Sequence, residues 1–138
     1  MTLPQLALVA SATLHLGFQA TVTALVYPAL AAVPSSEWDV SHAAHSRRIV
    51  PLVVLTYGAL LLALGAAVVA GPRTAWLWLA AAGGALAFGT TALAAAPTHG
   101  RLSGGRDDAL VVRLLRADRW RCGGAVIAAI GAVGWALR

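Results

Sequence analysis

Apolar residues run in long blocks that polar residues interrupt at only a few places. No charged residue precedes Glu37, and the uncharged stretch from Thr2 to Val33 exceeds the roughly 20 residues that carry a helix across a bilayer. A second block, Ile49 to Ala70, starts close to Pro51 and stops at Gly71-Pro72. Thr74 is placed to cap a third block that reaches Ala96 and meets Pro97. The last block, Cys122 to Leu137, is too short alone and must borrow Leu110, Val111, Leu114 and Leu115, so its helix should begin near Asp107 or Asp108. The pattern predicts an all-α integral membrane four-helix bundle with spans at about 3–33, 49–70, 74–96 and 114–137. Pro28 should kink the first helix near its far end, and helices two and four should extend past the membrane at one face.

Composition supports a lipid environment. Of 138 residues, 59% are hydrophobic and 11% charged, against about 25% charged in soluble domains. Every cation is Arg, and abundant Ala and Gly suggest a GC-rich bacterial gene. The formal charge of +5 is better matched to anionic lipid headgroups than to nucleic acid, because the arginines flank the spans. The single Cys122 excludes an internal disulfide and a dithiol relay. The first segment lacks the basic start and short apolar core of a cleaved signal.

Arginine also orients the chain. Eight arginines (47, 48, 101, 106, 113, 116, 119 and 121) lie in or beside the loops after spans one and three, while Arg73 and Arg138 lie on the other side. The bias predicts a multi-pass inner-membrane protein with cytoplasmic long loops and outside termini. Trp38 and Trp120 would mark one interface, and Trp76, Trp78 and Trp135 the other. Gly83, Gly84 and Gly89 in span three and Gly123, Gly124 and Gly131 in span four should let helix backbones approach closely within lipid, and a homo-oligomer is compatible with this.

Chemistry concentrates at the arginine-rich face. His42 and His45 share a helical face, with Asp39 three residues before His42. His99 follows span three on the same side. Three imidazoles with Asp39 form a candidate metal site (copper or iron ahead of zinc, with haem as a further alternative), or they are interfacial polar residues. Within span one, Ser11, His15, Gln19, Thr23 and Tyr27 recur every four residues as a slowly winding polar stripe that must face the bundle interior. His15, Gln19, Tyr27, Trp38 and Tyr57 are candidate substrate contacts. The series Arg113, Arg116, Arg119 and Arg121 is expected to snorkel.

Tyr27-Pro28, the loop Trp38-x-x-x-His42-x-x-His45-Ser46-Arg47-Arg48 and Pro97-x-His99 occur in an order that resembles small four-helix membrane proteins of actinobacteria. More distantly, it resembles the anthrone-oxygenase-like family. The resemblance implies an oxidative enzyme acting on a lipophilic aromatic or quinone-like molecule, with roles for Trp38, His42, His45, Arg48 and His99. The basic loop departs from that family.

The functional expectation is a membrane oxidoreductase, such as a metal-dependent oxygenase, for a lipophilic small molecule. One alternative is a metal-free acid/base enzyme of isomerase or cyclase type, with His42 or His45 as base and Arg48 stabilising an enolate or phenolate. Another is a non-enzymatic subunit that binds metal, haem or lipid.

Overall fold

The computed structural model describes residues 1–138 and contains four helices and no strand. Helix α1 spans Leu3–Ala31 and α3 spans Ala75–Leu102; α2 spans Trp38–Ala70 and α4 spans Asp108–Ala136. Their starts follow local chemistry. Thr2 and Gln5 form a capping box before Pro4, and the side chains of Thr74 and Asp107 accept from Leu77 and Leu110 backbone N–H groups. Both termini and the α2–α3 connection lie at one end of the bundle. The arginine-rich connections lie at the other.

Three helices, α1, α2 and α3, are long and apolar enough to cross a membrane. Helix α4 is long enough, but Arg and Asp residues dilute its hydropathy. Beyond the exposed Arg113, Arg116 and Arg119 its outward face is nevertheless apolar, with Val126, Ile130, Val133 and Leu137 exposed. Asp118 and Arg121 instead point into the bundle and are buried.

The interior has three layers. Leu8, Leu60, Leu64, Leu77 and Trp135 belong to an apolar cluster near the termini. Val22, Tyr27, Trp38, Leu102 and Leu114 belong to another at the arginine-rich end. Between them lies a buried polar waist made by His15, Gln19, Tyr57, Asp118 and Arg121.

Two helices depart from the expected path. Residues Val22–Val26 of α1 and Thr91–Ala95 of α3 form π-helical turns, each just before a proline, Pro28 or Pro97. Helix α3 therefore does not stop at Pro97 but continues to Leu102. The wider turn accommodates a residue that has no N–H to donate and whose ring crowds the preceding turn. Each such turn adds one residue, which sets everything beyond it back by about 100°. In an uninterrupted helix Tyr27 would sit about 120° around from His15; with the extra residue the offset falls to about 20°. The winding stripe is thereby straightened, and Tyr27 returns to the face of His15 and Gln19. The same correction brings His99 onto the face of Thr91.

Each end of the bundle has a buried and an exposed tryptophan. Trp135 and Trp38 are about 1% exposed, so they are not belt residues. Their indole N–H groups donate to the carbonyls of Pro72 and Leu102, each at 2.9 Å, and tie down chain connections. Trp78 and Trp120 are exposed and suit an interface.

Helices α3 and α4 touch backbone to backbone. A Cβ on Gly83 would collide with the Ala128 backbone, and one on Gly131 with the Ala80 backbone. Gly124 faces Gly83 and Ala87 in the same seam, whereas Gly89 and Gly123 face open space. Gly83→Ala and Gly131→Ala should each destabilise the bundle by about 1–3 kcal/mol, while Gly89→Ala should be neutral or slightly stabilising. Thermal unfolding in detergent, followed by circular dichroism, checks the contrast.

Candidate functional site

A cavity of about 420 Å³ lies between α2 and α3 at the arginine-rich end. Its walls include Ile49, Val50, Val53, Ala95 and Ala96, and its polar lining includes Tyr27, Asp39, His42, Thr91, His99 and Arg121. Val50 at the wall is 55% exposed, so the chamber adjoins the outer surface of the bundle.

One continuous hydrogen-bonded chain forms the polar lining. Arg121 Nη1 donates to the Tyr27 hydroxyl at 3.1 Å. Guanidinium is only a donor, so Tyr27 accepts from it and its own proton is free for His99 Nε2, 3.0 Å away. That contact leaves the His99 proton on Nδ1, which faces His42 Nε2 at 3.1 Å. The direction is therefore Arg121 to Tyr27 to His99 to His42. Asp39, one helical turn before His42, lines the open end of the same cavity.

Each member is held by neighbours. His42 is stacked on buried Trp38, with ring centroids 5.3 Å apart and planes 19° from parallel. Arg106 lies over the other part of that scaffold, 5.3 Å from the Trp38 ring. It donates to the carbonyls of Ala31 and Val33 at 3.0 and 2.6 Å, which closes the end of α1, and pairs with Asp108 at 2.9 Å. His45 stacks behind His99 at 5.6 Å and 21°.

The opposite end of the chain reaches the polar waist. Arg121 Nε donates to the Tyr57 hydroxyl at 3.4 Å, and Thr91 Oγ1 donates to the same oxygen at 2.9 Å. Asp118 lies 3.9 Å from Arg121 and accepts from Gln19 Nε2 at 2.6 Å. His15 is fully buried, packs edge-on against Tyr57 at 4.3 Å and has no hydrogen-bond partner at either ring nitrogen.

The candidates separate into distinct positions. His42, His99, Asp39 and Tyr27 come together at the cavity. Gln19, Tyr57 and His15 form the waist beneath it, and Trp38 supports His42 from behind. None of these four lines the chamber. Arg48 and His45 line a separate outer groove with Val26 and Leu30 of α1. The cation at the cavity is instead Arg121, which is not a snorkelling anchor: it is about 3% exposed. Asp118 faces Arg121, not Arg48 or Arg113. The signal for this pair was its i,i+3 spacing on a helix whose other face is apolar.

The imidazoles do not point their nitrogens at a common centre. His42 and His99 stack at 5.3 Å and 28° and hydrogen-bond to each other, and no three His, Cys, Asp or Glu side chains are arranged to hold a metal ion. A metal on His42, His45, His99 and Asp39 does not fit this side-chain arrangement without turning the rings.

No protein-family model matches the chain, and neither does any curated protein or solved structure.

The Arg121–Asp118 pair can be tested directly. Removing one partner leaves the other charge buried and uncompensated, so Arg121→Gln should destabilise by about 3–5 kcal/mol. Adding Asp118→Asn should recover a large part of that loss. A double-mutant cycle of unfolding free energies reads the coupling.

Proposed function

We propose that the chain is a multi-pass inner-membrane enzyme that takes a lipophilic small molecule into the α2–α3 cavity and performs metal-free acid/base chemistry on it. The observation that carries this reading is the directed chain from Arg121 through Tyr27 and His99 to His42 at the polar end of an apolar chamber. The resemblance to anthrone-oxygenase-like proteins points to the same class of ligand, a lipophilic aromatic molecule with an oxygen substituent.

The chemistry follows from the direction of the chain. A substrate carbonyl or phenol oxygen at the cavity floor meets the Arg121 cation, whose remaining N–H groups are the donors there, because the Tyr27 proton is committed to His99. Developing negative charge on that oxygen is stabilised by fixed donors in a water-poor chamber. A proton released from an acidic C–H or O–H group passes to the imidazole pair, and His42 hands it towards Asp39 at the open end. His99 is within hydrogen-bond reach of Tyr27 and His42, which general acid/base transfer requires. Arg121 thus takes the oxyanion role expected of Arg48.

A lipophilic aryl ketone in deuterium oxide provides the test. The protein in lipid nanodiscs should accelerate exchange of the ketone's α-hydrogens for deuterium, followed by NMR. His99→Ala and Tyr27→Phe should each slow exchange at least about tenfold, which is about 1.4 kcal/mol. Arg48→Ala should leave it unchanged. Exchange no faster than in the His99→Ala variant would sink the acid/base reading.

A metal-dependent oxidoreductase is the second reading. It is favoured by one observation, the placement of both the His42 and His45 rings within 5.6 Å of His99. A requirement for added copper or iron, with one metal bound per chain by elemental analysis, would select it over the first.

Placement in the membrane rests on the arginine bias and on the apolar outer face of α4 beyond Arg119, which supports α4 as a fourth span. The arginine-rich end, with the cavity, then faces the cytoplasm. A C-terminal reporter active only outside the cytoplasm should be active, and one that fluoresces only in the cytoplasm should be dark. The opposite result would invert the topology.

A further inference from the structure

We infer that the groove between α3 and α4, on the outside of the arginine-rich end, binds one anionic phospholipid, with Arg113 and Arg116 taking its phosphate. The groove encloses about 440 Å³ and is lined by Thr90 and Ala94 of α3 and by Val112, Arg113, Arg116 and Trp120 of α4, among others. Arg113, Arg116 and Trp120 fall within about 60° of one another around the helix, so they form one vertical row.

Charge identifies the occupant. The chain has two ion pairs, Arg106 with Asp108 and Arg121 with Asp118, and neither includes Arg113 or Arg116. Asp107 is engaged as the cap of α4, and Asp39 lines the cavity on the other side of α3. Two guanidinium groups one turn apart therefore face outward without a carboxylate, in a geometry that suits the oxygens of a phosphodiester. Trp120 is 61% exposed, and an exposed indole one turn further along α4 suits the glycerol level of a headgroup. Beside these residues, level with Trp120 and Arg116, Thr90 and Ala94 present only short side chains, which leaves a channel against α3.

A soluble phosphate would use the arginines but not the apolar channel. A membrane phospholipid uses both. The inference rests on the membrane placement above and not on the cavity chemistry. Alkaline extraction of the protein from membranes tests that placement separately.

The experiment uses the full chain in nanodiscs containing brominated phosphatidylglycerol or brominated phosphatidylcholine. The Trp120 contribution to fluorescence is isolated by subtracting the W120F signal. Bromine on phosphatidylglycerol should quench that contribution several-fold more strongly than bromine on phosphatidylcholine. R113Q/R116Q should bring the two to equality, while R119Q, an exposed change outside the groove, should preserve the difference. Excess inorganic phosphate should not remove it. If the double variant does not purify, R113Q and R116Q singly should each lose part of the preference. Equal quenching by both lipids, a preference that survives the double change, or displacement by inorganic phosphate would overturn the site.

Discussion

Asp118 and Arg121 are buried side by side at the middle of a bundle whose outer surface is largely apolar, and much of the architecture answers the cost of that burial. Two charges removed from water are tolerated only when they face each other and their remaining donors and acceptors are matched. Gln19 approaches from α1, Tyr57 from α2, Thr91 from α3 and Tyr27 from the far turn of α1. All four helices therefore contribute to one polar waist. Their rotations about their own axes are no longer free, because any helix that turned would strand a buried polar group in hydrocarbon. The apolar clusters on either side have Leu and Ala surfaces that tolerate sliding, whereas the waist does not. We regard it as the register-setting element of the fold.

The two π-helical turns make this arrangement possible. A regular helix cannot keep residues four apart on one face for five repeats, because each step drifts by about 40°. Pro28 and Pro97 each create a place where the helix must loosen. The chain uses that place to insert one residue and recover the lost rotation. Tyr27 and His99 lie just beyond these insertions on neighbouring helices. Their side chains meet because both helices were reset by the same device. In sequence, a proline near the end of an apolar run reads as a kink or a stop, and neither reading contains the rotation that matters here.

This explains which parts were legible. The cap at Thr74, the Gly71-Pro72 break, the extended starts of α2 and α4 and close backbone approach at Gly83, Gly124 and Gly131 follow from local rules, and the structure has them; that these glycines join α3 to α4 is seen only in the structure. His42 and His99 are brought together as their positions beside the apolar runs implied. Arg48 was misplaced because one helical turn decides between the cavity and the outer groove, and nothing nearby in the sequence reports on it. Arg121 and Asp118 were obscured by four arginines in close succession, where averaging over a window hides the one that faces inward. Trp38 and Trp135 read as belt residues because an indole at a helix end has that role in most membrane proteins. Only the carbonyls of Leu102 and Pro72, supplied by other elements, reveal them as internal pins.

The same layering ties the cavity's chemistry to the fold. Arg121 is at once the cation that neutralises Asp118 and the donor that polarises Tyr27, so the cavity floor is the roof of the waist. A floor built this way is preorganised: its donors are already fixed by the groups beneath them, and binding a ligand oxygen costs little further ordering. The open end is constructed differently. His42 is held by stacking on Trp38, whose position depends on Leu102 and Arg106 near the loops. The charges are thereby assigned to the waist, and Tyr27–His99 is the side-chain hydrogen bond that joins it to the imidazoles of the cavity.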